Sequence, residues 1–201
     1  MNRHWKQALV LGAACVATGA MAQAAVGQPA PAFSGVDAAG KPVTLADFKG
    51  KYVVLEWTNP ECPFVKKHYD SGNLPATQKA ALGKGVAWVA VQTGADNSAK
   101  GRADLQAWQA SKQSTPTATV IDADGHIGRS YRAATTPQLY IVDPQGKVIY
   151  AGGIDSKATA NPADIASATN YVNQALGEAL AGKPVSQPVT KAYGCTVKYP
   201  T

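Results

Sequence analysis

The succession of hydrophobic patterns along the chain predicts an α/β fold of three layers, with helices packed on both faces of a mixed central sheet. Three observations carry that reading. Short apolar runs of strand length alternate with amphipathic stretches of helix length. One hairpin signal opens the series, and another precedes its last helix. The chain has 201 residues, of which 45% are hydrophobic, enough to bury one full core without disulfide staples. Charged residues make up only 16% and the net charge is a modest +6, so wholesale disorder is excluded. The 19 glycines and 13 prolines follow no period, which removes collagen-like and repeat architectures.

Each element has its own signal. Residues 26–33 are an extended entry pinned by Pro29 and Pro31. Residues 33–36 and 42–45 flank the turn Asp37-Ala38-Ala39-Gly40-Lys41 as a hairpin. Tyr52-Val53-Val54-Leu55-Glu56-Trp57 is a continuous apolar run broken by one carboxylate, the pattern of a buried central strand. A helix begins at Cys62-Pro63, because proline suits the first helical position, where its missing N–H costs nothing. After a break at 70–73, a second helical piece covers 75–82. Residues 86–92 form another buried strand. Residues 98–112, with Leu105 and Trp108 three apart, form an amphipathic helix. Strand 117–121, a helical turn at 127–131, and a hairpin of 139–142 and 148–151 around Asp143-Pro144-Gln145-Gly146 come next. A last helix is predicted from the N-cap Asn161 and Pro162 through Ile165, Val172, Leu176 and Leu180 to a stop at Gly182. The tail beyond it is flanked by prolines yet carries Tyr193, Cys195, Val197 and Tyr199, a composition that packs back rather than staying disordered.

Residues 1–24 have a basic head at Arg3 and Lys6, an apolar run from Ala8, and Ala22-Gln23-Ala24. This is the build of a cleaved secretory signal, which makes the expected location periplasmic or secreted. The rival reading, lipid attachment at Cys15, lacks the favoured leucine three residues earlier. No later stretch reaches the 18 or so apolar residues of a transmembrane span. Nucleic acid is an unsuitable partner: the lysines are scattered, and the closest pair, Lys66 and Lys67, reads as solvated surface. The expected division is a leader 1–24, a domain 25–182 and a tail 183–201. Loss of Cys15 with the leader leaves Cys62 and Cys195 in a compartment where disulfides persist.

Cys62 is the candidate reactive group. At the junction of a buried strand and a helix, a thiol faces unsatisfied amides and the positive end of the helix dipole, which favour the thiolate. Lys66, one turn on, adds to this, while Glu61 opposes it. The competing reading is a cysteine that fills a core gap.

The segment Glu56-Trp57-Thr58-Asn59-Pro60-Glu61-Cys62-Pro63, the entry at 26–33, and Thr136-Pro137 before an apolar strand resemble the thioredoxin superfamily. Within it they resemble the redoxins, the alkyl hydroperoxide reductase and thiol-specific antioxidant family, in its peroxiredoxin-like branch with a Cys-Pro-Phe-Val-Lys loop and a Gly-Cys tail, here Gly194-Cys195. The resemblance spans residues 26–180. It implies a thioredoxin fold with an N-terminal hairpin extension and an ordered C-terminal tail. It also implies Cys62 as attacking thiol, Thr136-Pro137 as a cis-proline turn facing it, and Glu56 as a buried carboxylate of raised pKa that relays protons. An ordinary trans proline, or a Glu56 at an edge or paired with a lysine, are the alternatives.

The departures from the family pattern are specific. The third residue after Cys62 is Val65, so no local dithiol exists. Asn59 stands where peroxiredoxins carry Thr or Ser, with Thr58 one place off, and Pro137 lies where they carry an arginine. Arg129 and Arg132 are near in sequence without matching that position. Thr58, Lys66 and Arg132 are therefore the candidates for tuning the thiolate. Cys195 supplies a resolving thiol in one reading and a structural disulfide or a bystander in others. Metal sites lack ligands: after the leader, only His68, read as solvated or capping, and His126 remain, and no paired cysteine spacing exists. No cofactor is implied. The expected activity is hydroperoxide reduction, with a hydroperoxide or disulfide as substrate and an external thiol as reductant. Thiol-disulfide exchange is the second reading, and a binding module without turnover is the third.

Overall fold

A computed structural model describes residues 24–201; the leader reading, with Cys15, lies outside them. Among the described residues, seven of the nine strands form one sheet, in the order β2-β1-β5-β4-β3-β7-β8. They are β1 (Ser34–Asp37), β2 (Pro42–Thr44), β3 (Val53–Trp57), β4 (Ala87–Thr93), β5 (Ala118–Asp122), β7 (Gln138–Val142) and β8 (Val148–Gly152). β3, β4 and β5 run parallel, and β7, β8 and the β1–β2 hairpin are antiparallel to their neighbours. A central pair of parallel strands must be joined by a crossover, and the helices supply it.

Alternation along β3 assigns the two faces. Val53, Leu55 and Trp57 point to one side, with Val89, Val91, Val120 and Tyr140. That side is covered by α4 (His126–Tyr131), the 3-10 turn Leu45–Phe48 and the entry segment. Val54 points to the other side, with Trp88, Leu139 and Ile141. There lie α1 (Pro63–Asp70), α2 (Asn73–Leu82), α5 (Tyr171–Leu180) and, toward the hairpin, α3 (Ala99–Ser111), whose Leu105 packs on Ala38 and Ile121. The mixed three-layer sheet is the one expected from the sequence, with a thinner second helical layer.

The final helix differs from expectation. Residues Pro162–Ser167 form a 3-10 turn with no buried residue, and α5 starts afresh at Tyr171 under a new cap, the Asn170 side chain accepting the Asn173 N–H at 2.9 Å. The break exists because the intervening backbone is used elsewhere. Ser156 N–H donates to the Thr169 carbonyl at 3.1 Å, Thr169 N–H donates to Ser156 Oγ at 3.0 Å, and Asp155 pairs with Asn170 as an isolated bridge.

The tail is ordered across the molecule. Thr190 N–H donates to the Ala151 carbonyl at 3.1 Å, Val197 N–H to Ala134 at 3.0 Å, and Tyr199 Oη to Ala133 at 2.6 Å. Arg129 donates to the Pro200 carbonyl at 3.0 Å and lies over the Tyr199 ring. Between these ties, β9 (Cys195–Thr196) pairs antiparallel with β6 (Thr135–Thr136), with Thr136 opposite Cys195.

Candidate active site

The chain leaves β3 through Thr58, whose N–H still donates to the Val91 carbonyl at 3.1 Å, and turns at Asn59-Pro60-Glu61. The Asn59 side chain accepts the Glu61 N–H at 2.9 Å, and Cys62 N–H donates to the Asn59 carbonyl at 3.0 Å. This local side-chain bond closes the turn without any sheet partner. Cys62 is the N-cap residue of α1, with Pro63 at the first helical position. Its side chain is buried, joined in a disulfide to Cys195 with Cα atoms 5.9 Å apart. The Cys62 sulfur lies 3.0 Å from the Thr136 carbonyl oxygen, and the Thr136–Pro137 peptide is cis. Gly194 sits where a Cβ would overlap that same carbonyl, at φ +139°, so the approach of the tail to Thr136 needs glycine.

Glu56 is fully buried on the α1 face of β3. It accepts hydrogen bonds from Tyr69 Oη at 2.7 Å, Trp88 Nε1 at 2.7 Å and Gln78 Nε2 at 3.1 Å. Ser114 fixes the Gln78 amide from its other end at 2.9 Å. Burial pushes the carboxyl pKa up, and these neutral donors oppose the shift. Neither alternative environment, a sheet edge or a lysine partner, is present. Burial and the adjacent Glu56 also raise the Tyr69 hydroxyl well above its ordinary value.

The remaining sequence candidates are placed as follows. Lys66 is half exposed, and its ammonium lies 3.8 Å from the Glu61 carboxylate, so the helping cation and the opposing anion screen each other. Thr58 is buried, and its hydroxyl has no hydrogen-bond partner among the described residues. Arg132 is exposed at the C-cap of α4, with φ 52°, and its side chain makes no hydrogen bond or ion pair among the described residues. A cleft of about 300 Å³ opens beside the loop, bordered by Pro60, Glu61, Gln92, Asp104 and Trp108. Asp122, Asp124 and His126 gather ligand atoms within 4.8 Å. Asp122, however, is already committed to the N–H groups of Ile127 and Gly128, at 3.0 and 2.9 Å, and to Thr93 Oγ1 at 2.6 Å, which anchors α4 to β5.

Two residues contradict the sequence reading. His68, which the sequence reads as solvated or capping, is fully buried, and Lys67, half of a pair that reads as surface, is 2% exposed. Both face Asp155, itself buried: Lys67 Nζ lies 3.5 Å and His68 Nε2 3.8 Å from its carboxylate. Tyr193 Oη donates to Asp155 and meets His68 Nε2 at 3.1 Å. Desolvation pulls the His68 pKa down to about 4, against the attraction of Asp155 and with the repulsion of Lys67. The spacing of Val65, His68 and Tyr69 on one helix face is the signal that could have placed His68 inside. Asp155 and Tyr193 carry no such local signal.

The model of the AhpC/TSA family matches residues 26–151. The chain belongs to the AhpC/TSA family. The matched span holds Glu56, Cys62 and the cis Thr136–Pro137 turn, and it ends before Cys195. Over 131 residues the chain is 31% identical to the thiol-disulfide oxidoreductase ResA of Bacillus thuringiensis subsp. konkukian, covering 62% of this chain and 67% of that protein. An uncharacterized conserved protein of Geobacillus kaustophilus superposes with a TM-score of 0.76 at 26% identity, over 88% of this chain and 93% of its own. The thioredoxin domain of a thiol-disulfide oxidoreductase from Bacteroides vulgatus superposes with a TM-score of 0.53 at 30% identity, over 63% and 87%. This member of the AhpC/TSA family therefore has a thioredoxin fold. No helix among its described residues is long and apolar enough to cross a membrane.

Proposed function

We propose that this protein is an exported thiol-disulfide oxidoreductase in which Cys62 and Cys195 cycle between dithiol and disulfide. The observation that carries the reading is the disulfide between a cysteine at a helix N-terminus and one on a tail strand paired with the cis-proline turn. The thiol-disulfide oxidoreductase relatives support the same chemistry. The domain division goes with it: leader 1–24, redoxin domain 25–182, tail 183–201.

In the reducing direction the tail lifts, and the Cys62 thiolate, favoured by the amides and dipole of α1, attacks a substrate disulfide. One substrate thiol leaves, and a mixed disulfide forms on Cys62. The Cys195 thiolate then attacks the Cys62 sulfur and expels the second substrate thiol. Two electrons pass from the protein dithiol to the substrate, and the Cys62–Cys195 disulfide results. Glu56, held by three donors and of raised pKa, is the buried group suited to exchange a proton during this cycle. An external thiol regenerates the dithiol. Cys62 is 2% exposed and Cys195 only half-buried. The reductant therefore meets Cys195 first, and Cys62 departs as the stabilised thiolate.

Hydroperoxide reduction is the second reading, favoured by the family match and by a resolving cysteine outside the loop. There the Cys62 thiolate takes one peroxide oxygen as a sulfenic acid, and Cys195 displaces water to give the same disulfide. Among the described residues the polar contact of the Cys62 sulfur is the Thr136 carbonyl and not an arginine. Rapid mixing of the reduced protein with a small disulfide and, separately, with hydrogen peroxide decides the order. Disulfide exchange faster than that of a free thiol, with peroxide reacting no faster than a free thiol, is expected; the reverse result makes the protein a peroxidase. If Cys62 reacts with both no faster than a free thiol, both catalytic readings fall.

A further inference from the structure

Among the buried titratable side chains that the proposed catalysis leaves unused, one group joins the two cysteine-bearing elements. Lys67 and His68 sit on α1, the helix that Cys62 caps; Tyr193 lies two residues before Cys195; Asp155 follows β8. All four are buried. The hydrogen bonds run in one consistent direction. Asn73 Nδ2 lies 2.9 Å from His68 Nδ1, which makes that nitrogen the acceptor and leaves the proton on Nε2. His68 Nε2–H then donates to Tyr193 Oη at 3.1 Å, and Tyr193 O–H donates to Asp155. Lys67 faces the other Asp155 oxygen and donates to the Lys157 carbonyl at 3.0 Å. The low pKa of His68 agrees with a neutral ring in this chain.

Tyr193 is the hub of α1 and the tail. It takes the hydrogen bond from His68, packs edge to face on Phe64 with ring centroids 5.8 Å apart, and lies under the Lys67 ammonium at 5.7 Å. Among the described residues, every hydrogen bond, ring pair and cation–π contact between α1 and the tail is made by Tyr193, apart from the disulfide at the helix cap.

Resting on the proposed redox cycle, we infer that Lys67, His68, Asp155 and Tyr193 are positioning residues that latch the tail over Cys62 once the disulfide is open. The disulfide and the latch are two separate ties between the same elements, and reduction removes only the first. With the latch closed, Cys195 stays beside Cys62, resolution is intramolecular, and Cys62 is shielded from unspecific thiols. A tail held only by the short β6–β9 pairing and its flanking ties would keep Cys195 at a lower effective concentration.

Two measurements test this. In a Cys195→Ser background, the alkylation rate of Cys62 by iodoacetamide reports tail opening without any redox cycle. Tyr193→Phe keeps the ring against Phe64 and removes the hydroxyl with its hydrogen bonds to His68 and Asp155; it is expected to raise that rate about tenfold or more. With both cysteines present, the same substitution is expected to shift the equilibrium with glutathione about tenfold toward the dithiol. His68→Gln, which keeps a donor in the latch, is expected to shift both readouts the same way by less. Tyr52→Phe removes a hydrogen bond to Ala179 at the end of α5, outside the latch, and is expected to move neither. Unchanged alkylation and equilibrium in folded Tyr193→Phe and His68→Gln proteins would overturn the latch, as would an equal effect of Tyr52→Phe. If the wild-type disulfide does not exchange with glutathione, the redox reading falls, and the alkylation rates alone decide the latch.

Discussion

Glu56 and Asp155 are both buried carboxylates that accept a hydrogen bond from a tyrosine and face residues of α1, yet their surroundings differ in charge. Glu56 is ringed by Tyr69, Gln78 and Trp88, all neutral donors from the sheet and neighbouring helices. Asp155 faces the Lys67 ammonium and the hydroxyl of Tyr193. A carboxyl held by neutral dipoles alone remains costly to ionise, so its proton is available for chemistry. One that faces a buried cation ties together the chain segments that supply its partners. The first environment suits a proton carrier. The second suits a fastening between α1 and the tail.

The largest effect should come from breaking the charged site. Asp155→Ala leaves Lys67 buried without its counter-charge and is expected to cost about 3–5 kcal/mol, read as a lower urea midpoint. A loss below about 1 kcal/mol would make Asp155 an ordinary polar residue. Next is the pH response of His68. Its pKa is about 4 in the folded chain against 6.5 unfolded, so the unfolded state binds the proton first. Stability is full above pH 6.5 and falls as pH drops toward 4, by about 3 kcal/mol from this group. His68→Gln should remove that portion of the slope, which urea titrations at a series of pH values would measure.

Glu56 should act with the opposite sign. Its folded pKa lies above the unfolded value, so its contribution is full below the unfolded pKa and declines as pH rises through the folded one. In Glu56→Gln that decline should vanish, while the His68 slope persists; loss of both slopes together would mean that the two sites are not independent. Gly194→Ala should loosen the tail by about 1–3 kcal/mol, because the new Cβ meets the Thr136 carbonyl at a left-handed φ. Enhanced hydrogen exchange at Val197 and Tyr199 would report it. The smallest effect belongs to Lys66→Met. It removes a solvent-screened pair with Glu61 and should change stability by under about 0.5 kcal/mol.

Much of this arrangement is legible in the sequence because local signals and tertiary structure agree there. The apolar run ending at Trp57, the proline behind Cys62 and the Asp143-Pro144-Gln145-Gly146 turn each specify their element without help from distant residues. The apolar and aromatic residues around Cys195 likewise announce an ordered tail. The sequence starts the last helix too early because residues 161–170 satisfy helix-start rules twice, at Asn161 and at Asn170, and only the pairing with Asp155 and Ser156 selects the second. The burial of Lys67 is illegible in the sequence for a deeper reason. Lysine is almost never fully buried unless paired, and its partner Asp155 lies far along the chain. Glu56 was legible as a buried carboxylate, but its donors Gln78 and Trp88 converge only once β3, β4 and α2 are assembled.

The most direct test of the central claim, a reversible redox pair, is to equilibrate the purified protein in glutathione buffers of graded reduced-to-oxidised ratio. Free thiols are then alkylated, and the fraction of Cys62–Cys195 disulfide is quantified by mass. The predicted result is one reversible two-electron transition, with both cysteines becoming alkylated together while the fold is retained. A disulfide that persists across every ratio, or that opens only when the protein unfolds, would contradict it.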